Sequence, residues 1–197
     1  MAREKARHGI ELTKNQITFI AAISIVIIVV AYAYFYIPRP IYDYEYRGAP
    51  LKFRADLREA NKVPVYPNDA VLYYEIRGGI PRNLTIVFMP VEGENSIYSA
   101  EGFEISYKLG LMNKILGKEL AIDAKNISSY QHLPGKIQHP IVALVHPRFA
   151  NETAVRLDGH VIYISGLPSN DPANPYKNLD LATVKFLMVI LGIELNE

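Results

Sequence analysis

The sequence predicts a layered α/β (or α+β) domain with a mixed β-sheet, preceded by one N-terminal transmembrane helix, and three observations carry that prediction. Residues 17–37 run 21 positions without a charge. Downstream, β-rich runs such as LTIVFMP (84–90) and IVALVHP (141–147) alternate with a helical stripe through Phe103, Tyr107, Leu111 and Ile115. Near the end, Asp158-Gly159 separates two more β-rich runs, a pair that supplies positive φ in a two-residue hairpin. Strands alternating with helices and closing in a hairpin fit layers stacked on a mixed sheet.

At about 1.5 Å per residue the apolar run would be about 31 Å long as a helix, close to a hydrocarbon core of about 30 Å. Ile17, Phe19, Ile20, Ile23, Ile25, Val26, Ile27 and Ile28 point in every direction, so no face is kept for water. The rival is a signal peptide cleaved after Ala33, since Ala31 and Ala33 form an A-x-A site. Against cleavage, the run continues through Tyr34, Phe35, Tyr36 and Ile37, aromatics suited to an interfacial belt. The polar stretch before it, 1–16, is also long for a signal. A prepilin-type signal fits less well, because ELTKNQ separates Gly9 from the apolar run.

Basic residues do not orient this helix: Arg3, Lys5, Arg7 and Lys14 precede it, and Arg39, Arg47, Lys52 and Arg54 follow. Candidate glycosylation sites at Asn83, Asn126 and Asn151 all lie beyond the run, which favours an N-terminus inside and the large domain outside. The expected division is a cytoplasmic segment 1–16, a signal anchor 17–37 embedded in the lipid bilayer from Ile17 to Ile37, a Pro/Tyr-rich stalk 38–50, and an extracytoplasmic domain 51–197.

Within the domain, Phe53, Ala55 and Leu57 alternate with charged neighbours and predict a half-buried strand. A helix follows, capped by Asn68 or Asp69 and stopped at Gly78-Gly79. Next come a compact buried strand at 84–90, a helix closed by Gly117, and a short strand at 120–123. The run 141–147 reads as the clearest buried strand. The last helix, LDLATVKFLMVILGI, is apolar nearly all round yet holds Asp180 and Lys185. At about 15 residues it is too short to span a membrane. It reads as a buried helix, with docking on a partner or a membrane surface as the alternative.

Composition excludes whole classes of chemistry. Lys plus Arg number 21 against 20 Asp plus Glu, so no concentrated basic surface calls for nucleic acid. Cysteine is absent, which removes disulfides, thiolate metal sites and cysteine nucleophiles. Fourteen Tyr, no Trp and abundant Ile, Lys and Glu give a thermophile-like composition. No GxSxG, HExxH, Walker or GxGxxG motif occurs; RGGIPRN reads as a turn, and Ser165-Gly166 lacks the flanking glycine of a nucleophile elbow. His139 and His146 bracket one strand on opposite faces, about 23 Å apart at ~3.3 Å per residue, and cannot share an ion there. Neither a metal nor a cofactor is called for.

Glu101 and Glu104 read as partners of the positive end of the middle helix, with no facing carboxylate visible in sequence. One loop, LPSNDPANPYKN (167–178), is longer than most connections and follows a strand end, where α/β domains build sites. Asn170, Asp171, Asn174 and Tyr176 are its candidate binding residues. The expected role is protein–protein assembly or scaffolding of a membrane or envelope complex. A tethered enzyme or ligand-binding domain, with a site near His146, His160 and this loop, is the alternative.

Overall fold

The computed structural model describes residues 23–26, 28, 40–78 and 83–195. Contacts divide the chain into two compact units, Met1–Arg39 and Pro40–Glu197. In the first, residues 23–26 and 28 are helical and exposed. The rest of the apolar run, with Ala33, lies outside the described residues, as do Gly79 to Arg82 of the RGGIPRN turn. Among the described residues no helix is long and apolar enough to cross a membrane.

The second unit opens with an antiparallel hairpin where the sequence suggested a stalk. Strands β1 (Asp43–Tyr46) and β2 (Ala49–Lys52) pair with Tyr46 opposite Ala49. Arg47 and Gly48 turn between them at φ 50° and 83°, the second a value glycine adopts without strain. Tyr46 and Leu51 are buried in the main core, so this segment is part of the domain and not a linker. Pro50 is tolerated because a two-stranded ribbon has an open edge on each side.

Phe53, Ala55 and Leu57 do not form the expected strand. β2 ends at Lys52, and Leu57 opens helix α1 (Leu57–Asn61). Asp56 caps it: one side-chain oxygen accepts the Arg58 N–H at 3.0 Å and the Ile41 N–H at 2.9 Å. All three apolar residues are buried, so their alternation reported burial at a bend rather than extended backbone.

The chain continues through β3 (Val65–Tyr66), α2 (Asp69–Arg77), β4 (Asn83–Phe88), α3 (Ser96–Leu116) and β5 (Ala121–Asn126). It ends with β6 (Ile141–Val145), a 3-10 turn (Pro147–Phe149), β7 (Ala154–Asp158), β8 (Val161–Ser165) and α4 (Lys177–Leu191). Asn68 caps α2 by accepting the Val71 N–H at 2.9 Å, and Gly117 ends α3 in the left-handed region at φ 62°. In the β7–β8 hairpin Asp158 faces Val161, so the turn residues are Gly159 and His160, and only Gly159 has positive φ, 57°.

The six-stranded sheet has the order β3-β7-β8-β6-β4-β5. β7–β8 is antiparallel and the other pairs are parallel, which makes the sheet mixed. Strand residues alternate between two cores. Leu84, Ile86, Val142, Leu144, Ile162 and Ile164 face the four helices, while Val87, Ile141, Ala143 and Val161 face a smaller cluster with Ile127, Tyr130 and Leu133. α4 lies at the centre of the helical layer, with 13 of its 15 residues buried, as the all-round apolar pattern implied. Each such Leu, Phe or Met contributes about 1.5–3 kcal/mol on burial.

Candidate functional site

β4, β6 and β8 run parallel, so their carboxyl ends share one edge of the sheet. After β4 the chain turns outward through α3 to β5; after β6 it turns the other way to β7. Neighbouring strands whose connections diverge leave a crevice at their carboxyl ends, the usual position of a site in open α/β sheets. Here the crevice is filled by Glu94, His146, Arg148 and Tyr176, drawn from three loops.

Glu94 joins the group. Tyr176 donates its hydroxyl to Oε2 at 2.7 Å, and Arg148 Nη2 donates to Oε1 at 3.0 Å. His146 is buried, with Nδ1 accepting the Arg148 backbone N–H at 3.2 Å, so the neutral ring carries its proton on Nε2. That Nε2 lies 3.0 Å from Glu94 Oε2 but off the line of a hydrogen bond. The Tyr176 hydroxyl, helped by His146 and Arg148, keeps the Glu94 carboxyl below its usual range against the effect of desolvation. Burial pushes the His146 ring down despite the pull of Glu94. Each Glu94 oxygen accepts one of these bonds, so the group clasps three loops together.

A second polar centre sits between the first halves of α3 and α4, connected to the clasp by the long loop. Asn174 donates Nδ2 to Asp180 Oδ2 at 2.8 Å, and its Oδ1 accepts the Tyr176 N–H at 3.1 Å. Asp180 is buried with Glu101, Glu104, Lys108 and Thr183. Lys108 Nζ donates to Glu104 Oε1 at 2.8 Å and stands 4.6 Å over the Phe53 ring. Arg54, half-exposed, lies across the opening: Nε is 3.8 Å from Glu101 and 3.7 Å from Glu104, and Nη2 is 3.6 Å from Asp180.

Three carboxylates therefore meet two cations, Arg54 and Lys108. Both Glu101 oxygens and Asp180 Oδ1 lack a hydrogen-bond donor among the described residues, as a proton shared between the two side chains would explain. Burial, reinforced by the Asp180 carboxylate, pushes the Glu101 carboxyl well above the ordinary range, with Thr183 and Arg54 opposing. Burial thus favours the protonated form of Glu101.

The four loop residues divide into two kinds. Asn170 and Asp171 are exposed, and Asp171 is spent on the loop itself, accepting the Ala173 N–H at 2.9 Å. Asn174 and Tyr176 turn inward and join the two polar centres. His146 comes within 5.8 Å of the Tyr176 ring, whereas His160 lies at the opposite end of β8, where Nδ1 is 2.7 Å from Glu75. The site expected near both histidines is therefore split. Asn83, Asn126 and Asn151 are all exposed.

Glu101 and Glu104 depart from their expected role. α3 begins at Ser96, so they lie in its second and third turns, buried and facing Asp180 rather than capping the positive end. Sequence reasoning missed this set, together with Arg54, Glu94 and Lys108; the available signal was three carboxylates at otherwise apolar positions of two helices. Among the described residues no group of three or more His, Asp or Glu is placed to hold a metal ion. A groove of about 420 Å³ lies between α2 and the second half of α4, but its Lys185 is already paired with Asp69 at 2.9 Å. Comparisons of the chain with protein-family models, curated proteins and solved structures find no significant match.

Proposed function

We propose that the chain is a single-pass membrane protein, anchored through residues 17–37 with its N-terminus in the cytoplasm, whose α/β domain stands outside and serves protein–protein assembly of a membrane or envelope complex. One observation carries the reading. On the outer face of α3, Phe103 and Tyr107 stack with ring centroids 6.0 Å apart while remaining 71% and 55% exposed. Two large aromatics held together in water, pointing away from the core, form a ridge suited to a partner's apolar pocket.

The same reading accounts for the polar centres. Both are occupied by the chain's own side chains, so they fix the loops and helices behind the ridge. A tethered ligand-binding domain or enzyme is the second reading, favoured by the convergence of Glu94, His146 and Tyr176 at the crevice. It requires a ligand to displace Tyr176 or Arg148 from Glu94.

Extraction of the full-length chain from native membranes in mild detergent tests the proposal. The expected result is a particle with fixed protein stoichiometry that is lost in the double variant Phe103→Ser with Tyr107→Ser, while thermal unfolding stays unchanged because both side chains face solvent. A bare single copy, or a particle indifferent to those substitutions, would overturn the reading.

A further inference from the structure

We infer that one partner of this domain is a second copy of itself, joined edge to edge through β5 with the two α3 helices packed side by side. The inference rests on the assembly reading and names a partner for it.

β5 is the last strand of the sheet, and among the described residues nothing pairs with its outer side. The Ile127 N–H donates to Phe88 at 2.9 Å, so odd-numbered residues of this strand turn their backbone groups toward β4. Ile122, Ala124 and Asn126 therefore turn theirs outward. Consistently, the Ala124 N–H finds only a side chain, Asp123 Oδ1 at 2.8 Å.

The strand is self-complementary. In an antiparallel pair related by a two-fold axis at Ala124, each Ala124 exchanges both backbone hydrogen bonds with its counterpart. Ile122 does the same with Asn126 of the second copy. Asp123 then stands opposite Lys125 of the second copy in a non-hydrogen-bonded pair, where side chains approach most closely. Within one chain these two residues already bridge at 3.2 Å, an exposed pair that can change partners. The small Ala124 at the axis leaves the centre unobstructed.

The helical layer supports the same axis. α3 connects β4 to β5, so pairing the edges sets the two α3 axes about two strand spacings apart, roughly 10 Å. Helices pack at about 8–10 Å when their facing residues are small. Glu101, Glu104 and Lys108 occupy the flank of α3 toward α4. The opposite flank carries Gly102, Ser106 and Gly110 at four-residue spacing, and a groove of about 840 Å³ runs from Gly110 and Asn113 to Ala121 of β5. A Cβ added at Gly102 or Gly110 would meet nothing within 4 Å. Glycine weakens a helix interior relative to alanine, and among the described residues nothing packs against Gly102 or Gly110 closely enough to require it; a second helix pressed against that flank would. A glycan on Asn126 and the paired edge exclude each other.

Charge reversal on the full-length chain in detergent tests the pairing, with particle mass and copy number read by light scattering and native mass spectrometry. The wild type is expected to hold two copies. Asp123→Lys alone and Lys125→Asp alone each set like charges face to face twice, and are expected to weaken association about tenfold or more. The double variant restores opposite charges and is expected to recover the dimer, which rules out misfolding as the cause of the single-variant losses. A dimer unaffected by the single reversals, or not recovered by the double one, would overturn the pairing. One copy bound to a different protein in fixed ratio would overturn it while leaving the assembly reading intact. A bare single copy would overturn both.

Discussion

Replacing Lys108 with methionine is expected to destabilise the domain by about 3–5 kcal/mol, the usual consequence of removing one partner of a buried ion pair. The side chain keeps its length and its packing, so what is lost is charge. Lys108 and Glu104 are both almost fully buried and bonded at 2.8 Å. Without the ammonium, the cation left to Glu101, Glu104 and Asp180 among the described residues is Arg54, whose guanidinium lies at 3.6–3.8 Å from them and is half in water. Chemical denaturation at pH 7 measures the loss.

Glu101→Gln, two turns away on the same helix, is expected to change stability by no more than about 1 kcal/mol, because a neutral amide can donate to Asp180 as the protonated form favoured by burial can. The two variants separate charge from volume in one cluster. Their pH dependence has a definite sign. The folded-state pKa of Glu101 is raised, so above the unfolded value of about 4.3 the folded protein keeps a proton that the unfolded chain releases. Stability then falls as pH rises from that value toward the raised one. Glu101→Gln is expected to remove this part of the slope; an unchanged profile would place the shared proton elsewhere.

Gly166→Ala is expected to cost about 3 kcal/mol, the upper end for overpacking a core, and to lower the urea midpoint by roughly 1–2 M. An alanine Cβ there would overlap the Leu179 backbone nitrogen and lie 2.5 Å from both the Leu179 Cα and the Asn178 carbonyl carbon. These are backbone atoms of the first turn of α4, so no side-chain rotation relieves the contact. Either the helix moves off the end of β8 or the strand end shifts. Both responses carry Asn174, Tyr176 and Asp180 with them, so loosening of the Tyr176–Glu94 bond is expected to accompany the loss of stability.

Much of the fold was legible because it depends on local signals. Asn68 before an apolar run, Gly117 after one, and a glycine between two β-rich runs each act within a few residues, and the structure has all three. β6 was legible because IVALV is buried on both faces. The proline and tyrosine content of residues 38–50 resembles a linker, while Tyr46 and Leu51 reach the core only through tertiary contact. Phe53, Ala55 and Leu57 misled for a related reason: period-two burial at a bend copies the pattern of a strand.

The site was legible only in part. Proline and Asx residues marked the 167–178 loop, but which side chains turn inward depends on Asp180 and Glu94, and nothing local specifies either contact. Glu101, Glu104, Lys108 and Asp180 look like ordinary charges until two helices are set side by side. Edge pairing of β5 was equally hidden, because it depends on which backbone groups β4 leaves unused.

Residue-resolved amide exchange on the intact particle, extracted from native membranes, tests the central claim that the domain works by association through its α3–β5 side. The amides of Ile122 and Asn126, which face outward from β5, are expected to exchange as slowly as those of β4, and to become fast when the particle is dissociated. Fast exchange at both residues in the intact particle, beside a protected β4, would contradict it.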